Sequence, residues 1–130
     1  MTKIRLGMVG GGQGAFIGDV HRIAARLDNR FDLVAAALSS DPQRALASAK
    51  ELHIAEDRSY ADFKQMAKAE ANRADGIQAV AIVTPNHLHG EVAKAFLAEN
   101  IHVICDKPLT SSLAEAQALA DIVSSSKALF

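Results

Sequence analysis

"VGGGQGAFIGDVHR", residues 9–22, decides how the rest of this chain reads. Five glycines fall in its first ten residues, and an amphipathic run follows directly. The stretch comes straight after "IRLGMV" (4–9), an apolar run of strand length, so it occupies a strand-to-helix turn. Glycine lets the backbone turn tightly and approach a neighbour closely. The first turn of the next helix offers unpaired N–H groups at a positive dipole end. Such a turn is either a plain connector or an anion cradle, and its surroundings must choose between them.

Further along, "FDLVAAAL" (31–38), "IQAVAIV" (77–83) and "IHVIC" (101–105) are also short and nearly continuously apolar. That is the pattern of parallel strands covered on both faces. Helical patterns lie between them. Phe16, Val20, Ile23, Ala24 and Leu27 share one helical face, as do Val92, Phe96 and Leu97. Asp41-Pro42 opens "DPQRALASAKEL" with a capping residue and a proline at the first helical position. Asp62 caps a further helix, and Ser111 or Ser112 a last one that carries Leu113, Ala116, Leu119, Ala120 and Val123 on one face. "RSY" (58–60) is long enough only for a short third strand. Alternating strands and helices predict a doubly wound parallel sheet in three α/β/α layers. A closed barrel needs about eight such units, and this chain carries about five.

A length of 130 residues suits one domain with a real core. Fourteen basic and 15 acidic side chains, interspersed, give a net charge of −1 and no pull toward nucleic acid or anionic membrane. One cysteine, Cys105, allows no internal disulfide. The N-terminus lacks a signal-peptide pattern, and no run reaches the roughly 18 apolar residues of a membrane span. The expectation is a soluble cytoplasmic domain.

Position turns the glycine loop from a weak signal into a specific one, because a strand precedes it and an amphipathic helix follows. It reads as a dinucleotide cradle. Gly10 would end the strand in a tight turn, and Gly12 would clear the approach to a pyrophosphate. The candidate lining is Gly10, Gly12, Gln13, Gly14, Ala15, Phe16 and Ile17. Two alignments stay open: Ala15 packs the helix onto the strand, or Gly18 does, with about three residues of "QGAFI" inserted. At the tip of the second strand an acid is expected for the adenosine ribose. Here "AALSSDPQR" places Leu38, Ser39 and Ser40 there, with Asp41 late and suited to capping. Ser39, Ser40 and Arg44 could instead hold a 2′-phosphate, so the choice between NAD and NADP stays open.

"VTPNHLHGEVAKAFL" (83–97) and "VICDKPLTSSLAEA" (103–116) follow the third and fourth long strands, at the ends where ligands bind in open α/β sheets. With the glycine loop, in this order and spacing, they resemble the Gfo/Idh/MocA family of oxidoreductases over essentially the whole chain. The resemblance implies a Rossmann domain, residues 1–126, that binds NAD or NADP. It implies that Thr84, Pro85 and Asn86 pass beside the nicotinamide ribose, with His89 near the same region. The family's E-K-P signature stands here as Asp106-Lys107-Pro108, one methylene shorter at the acid. Lys107 accordingly inherits the catalytic place beside nicotinamide and substrate, where an ammonium can stabilise a developing carbonyl oxygen or exchange a proton.

His21 reads either as facing the cofactor or as a helix-surface residue, and His53 as ending a helix. His102 points outward from its strand. His87 and His89 lack further partners at ligand spacing, so no metal is expected. Cys105 reads as a small buried hydrophobe. The resemblance also implies a second, substrate-binding domain with its own catalytic histidine, for which 127–130 would be the start of the link. The isolated chain would bind a dinucleotide without turning over a sugar, polyol or similar carbinol, and its apolar docking face could drive homo-oligomerisation. A non-catalytic dinucleotide sensor is the second reading. Lys107 and T-P-N weigh against it, and the pyrophosphate-type loop weighs against a third, binding of S-adenosylmethionine.

Overall fold

Alternation along each strand sorts its side chains onto two faces, and in this chain both faces are apolar. Leu6 and Met8 of β1 (Ile4–Gly10) point one way and Val9 the other. In β3 (Ala79–Val83) the split is Ala79, Ala81 and Val83 against Val80 and Ile82, and every residue is buried. These strands, with β2 (Phe31–Ala37) and β4 (His102–Cys105), form a parallel sheet ordered β2-β1-β3-β4 in the computed structural model, which describes residues 2–130. Register places Val9 beside Ile82, and Val80 beside Val103.

α1 (Phe16–Leu27) and α2 (Pro42–Glu51) pack on the Leu6/Met8 face through Ile17, Ala25, Ala49 and Leu52. α3 (Phe63–Ala71), α4 (His89–Leu97) and α5 (Leu113–Ser125) cover the Val80/Ile82 face through Met66, Phe96, Leu119 and their neighbours. The result is the expected three-layer, doubly wound α/β fold. Local chemistry starts the helices as read. Asp41 accepts from the Gln43 and Arg44 N–H groups at 2.9 and 3.1 Å, Asp62 from Lys64 and Gln65, and Ser112 from Glu115.

Two expectations are corrected. Residues 58–60 do not form a strand. Glu56–Arg58 is one 3-10 turn, and a single bridge joins Ser59 to Ala36, with the Tyr60 N–H donating to Ala36 O at 2.8 Å. The apolar stripe of α1 does not face the sheet either. Phe16 is 81 % exposed, and Val20, Ile23 and Leu27 are exposed with it, while Gly18 and Arg22 are buried. The reason is distance. A Cβ on Gly18 would lie 2.6 Å from the Gly11 Cα, so the helix sits closer to the loop than any larger side chain permits. Ile104 of β4 is exposed on the same side of the sheet.

Candidate functional site

The sheet order makes β1 the strand from which the chain departs in both directions, toward β2 and toward β3. Crevices open at the carboxyl ends beside such a switch point. A groove of about 220 Å³ lies there, between the glycine loop, the end of β2 and the turn after β3. Gly10, Gly12, Gln13, Ala15, Ser39, Arg44, Thr84 and Pro85 line it. It runs on into a more apolar hollow of about 340 Å³ that adds Ser40, Ala61 and Phe63. A larger hollow, about 440 Å³, opens toward the other end of the sheet beside Lys3 and Phe31, lined by no glycine of the loop and by neither later turn.

The loop alignment is settled by packing. Ala15 is the extended residue preceding α1, and Gly18 is the residue that meets Gly11. The extra residues therefore belong to the loop. Gly12 lines the groove and also has a packing task. A Cβ there would meet Leu38 O at 2.7 Å and Ser48 Oγ at 3.2 Å, so its missing side chain lets the loop lie against the end of β2. The loop is held from below as well. The Gln13 N–H donates to Ser48 Oγ at 3.1 Å, and Arg22 Nη1 to Gly11 O at 2.8 Å. Arg22 is 7 % exposed and pairs with Asp19. Sequence reasoning missed Ser48 and Arg22. Arg22 lies one helical turn after Gly18, and that spacing was the available signal.

Three observations fit a dinucleotide here. No side chain caps α1 at Ala15, which leaves its first N–H groups open beside the glycine loop. Thr84 Oγ1, at the edge of the groove, is buried without a hydrogen-bond partner. Ser39, Ser40 and Arg44 stand at the tip of β2, where an adenosine ribose would reach. Asp41 caps α2 through Oδ1 and lines neither hollow of the groove. Phe16 is exposed on the outer side of α1, and Phe16, Gly14 and Ile17 line neither hollow.

The D-K-P turn begins by prolonging β4, with the Asp106 N–H donating to Ile82 O at 3.0 Å. His21 Nε2 on α1 lies 3.4 Å from Asp106 Oδ1, both side chains half-buried, so the histidine faces this turn. Lys107 and Pro108 are exposed beyond it. His89 is 1 % exposed and has both ring nitrogens engaged, Nδ1 with Pro108 O at 2.7 Å and Nε2 with Thr84 O at 3.0 Å. Neither nitrogen is left for a ligand, so His89 lies behind the groove. Asn86 opens the short 3-10 turn before α4 and is exposed.

Cys105 is half-buried, and burial together with the neighbouring Asp106 charge pushes its thiol up to about 11. Little thiolate forms at neutral pH. Iodoacetamide is expected to modify Cys105 about a hundredfold more slowly than an unhindered cysteine at pH 7.5, which mass spectrometry over a time course would measure. His102 Nδ1 accepts from the Leu129 N–H at 2.9 Å, and the Val103 N–H donates to Leu129 O. That histidine ties the end of the chain to the edge of β4. No helix among the described residues is long and apolar enough to cross a membrane.

Comparison with known proteins agrees with this geometry. An oxidoreductase from Sinorhizobium meliloti is 60 % identical and superposes with a TM-score of 0.96, over 100 % of this chain and 36 % of that one. An inositol dehydrogenase homolog from Azotobacter vinelandii, solved in complex with NAD+, is 42 % identical with a TM-score of 0.91, over 95 % and 32 %. Levoglucosan dehydrogenase of Pseudarthrobacter phenanthrenivorans is 33 % identical over 95 % of this chain and 31 % of its own length. The chain thus spans about a third of the relatives it matches. Residues 4–130 match the oxidoreductase family described by its NAD-binding Rossmann fold. The glycine loop, the groove at the switch point and these likenesses agree: the chain belongs to the Gfo/Idh/MocA oxidoreductase family and is its NAD-binding Rossmann domain.

Proposed function

We propose that the protein containing this chain is an NAD(P)-dependent dehydrogenase. It would move hydride between the nicotinamide and a carbinol carbon of a sugar or polyol, with these 130 residues as the cofactor half. The observation that carries this reading is convergence. The glycine loop, the T-P-N turn and the D-K-P turn leave the carboxyl ends of three adjacent strands, β1, β3 and β4, and the first two of these turns line one crevice. The printed names of relatives, a levoglucosan dehydrogenase and an inositol dehydrogenase homolog, support the substrate class.

The residues divide the work as their chemistry suggests. Loop and α1 N–H groups hold the pyrophosphate without a balancing cation. Thr84 Oγ1 gains a partner, and Pro85 and Asn86 line the approach to the ribose beyond it. When bound, the nicotinamide supplies the hydride acceptor or donor. Lys107, exposed and cationic, stands where negative charge builds on the substrate oxygen as the carbinol becomes a carbonyl. The groups that grip the substrate come from chain outside this sequence. A sensor that only reports dinucleotide levels has no use for a cation beside the reacting oxygen, so the enzymatic reading is preferred.

Calorimetric titration of the full-length protein with NADH and with NADPH tests the cofactor claim directly. Saturable binding of at least one is expected. A folded sample that binds neither sinks the reading. Selectivity is assigned to the tip of β2. With no acid lining the groove there, Ser39, Ser40 and Arg44 favour a 2′-phosphate. Arg44→Ala is expected to weaken NADPH about tenfold, one charge-assisted contact, and to leave NADH unchanged. Equal effects on both cofactors would remove Arg44 from the clamp.

A further inference from the structure

The D-K-P turn carries the lysine that the proposed chemistry needs, yet Lys107 is exposed and its side chain does not brace the turn. The bracing comes from two histidines. His21 reaches Asp106, the residue before Lys107, from α1. His89 reaches Pro108, the residue after it, from α4. The second contact does more, because the same imidazole also engages Thr84 O, in the T-P-N turn on the neighbouring strand. Both ring nitrogens lie within hydrogen-bond distance of carbonyl oxygens, which only accept, so the ring holds a carbonyl through an N–H.

We propose that His89 is a positioning residue: its buried ring clamps the T-P-N turn to the D-K-P turn and thereby sets Lys107 against the cofactor groove. The inference rests on the hydride-transfer reading above for its catalytic consequence, and on geometry alone for the clamp. Three features separate it from ordinary core packing. The ring is 1 % exposed and fully hydrogen-bonded, at 2.7 and 3.0 Å. Its partners are backbone carbonyls of two loops, which regular secondary structure does not satisfy. It sits at the first residue of α4, whose His-Gly start admits the Glu115 side chain of α5 against Gly90. Precision matters at such a point, since displacing a reacting group by about 1 Å can cost about a hundredfold in rate.

The test uses the full-length protein with His89→Phe, which keeps a ring in the core and removes both ring nitrogens, and His89→Gln, which keeps an amide donor. Backbone hydrogen exchange is measured without any dinucleotide, and kcat, KM and NAD(P)H affinity are measured separately. The clamp predicts faster exchange confined to residues 84–88 and 106–111, by about tenfold or more. It also predicts kcat reduced about ten- to a hundredfold, more than cofactor affinity falls, with His89→Gln falling between Phe and the parent. Unchanged exchange in the two turns, or exchange rising evenly along the whole chain, overturns the clamp. So does an unchanged kcat. If His89→Phe does not fold, His89→Gln alone decides by the same readouts. A parent protein that binds neither NADH nor NADPH would overturn the dehydrogenase reading, while the exchange result would still judge the clamp.

Discussion

Lys107→Ala in the full-length protein is expected to lower kcat by about a hundred- to ten-thousandfold while leaving cofactor affinity unchanged. The range is what one positioned acid–base or charge-stabilising group supplies. The separation of rate from affinity follows from placement. The pyrophosphate and ribose contacts proposed above belong to the glycine loop and the ends of β1–β3, whereas Lys107 lies in the turn after β4. Lys107→Arg keeps the charge but presents it in a planar fork of different reach, so partial activity is expected. Stopped-flow hydride transfer with a polyol substrate, beside calorimetric cofactor binding, makes the measurement. Unchanged turnover in Lys107→Ala would remove the lysine from the mechanism and leave a cofactor-binding domain without a reactive group of its own.

The largest effect on stability is expected at Glu70, far from that chemistry. Its carboxylate, at the end of α3, is completely buried. It accepts from Arg58 Nε at 3.1 Å and from Arg58 Nη2, from Tyr60 Oη at 2.9 Å and from the Ile77 N–H at 3.1 Å. Four donors satisfy one buried anion. Removing it leaves a buried guanidinium without its closest counter-charge, and a hydroxyl and an N–H without acceptors. Glu70→Ala is therefore expected to cost about 3–5 kcal/mol, as for a broken buried pair. Set against a typical domain stability of about 5–15 kcal/mol, that is enough to unfold a large share of the molecules on mild heating. Urea denaturation followed by circular dichroism would show it, and a loss below about 1 kcal/mol would mean that the network contributes little.

The same cluster carries a pH dependence. Burial, and then the Glu70 carboxylate beside it, pushes the Tyr60 hydroxyl up to about 12 from an ordinary 10. The neutral phenol is the form the fold prefers. Its contribution is complete below about pH 10, where the unfolded chain also keeps the proton, and it is lost as pH rises toward 12. Denaturation midpoints should fall faster between pH 10 and pH 11.5 in the parent than in Tyr60→Phe. Parallel slopes would count against the assignment.

Reading the chain forward works where the cause is local. Asp41, Asp62 and Ser112 start helices because a short acceptor precedes N–H groups that lack partners, and each does so in the structure. The strands stand out because parallel strands covered on both faces must be apolar throughout. Their spacing therefore makes the doubly wound sheet legible, along with the crevice at its carboxyl ends. The three turns that meet there were legible for the same reason, since each follows a strand.

What the sequence left open depended on partners distant along the chain. Residues 58–60 have strand composition, but they make one bridge to β2 and are held by Glu70 instead. The α1 stripe has the right period for burial. Only the Gly11–Gly18 contact reveals that the helix turns its small face inward and leaves Phe16 outside. His89 looks in sequence like one more polar residue of a binding turn, and its role depends on a carbonyl 19 residues away. Periodicity and capping determined the elements and their order, because those effects act within a few residues. Which face of α1 is buried, which glycine packs it, and which carbonyls the His89 ring reaches were decided by tertiary structure. Those choices depend on how closely two backbones approach, and no single segment contains that distance.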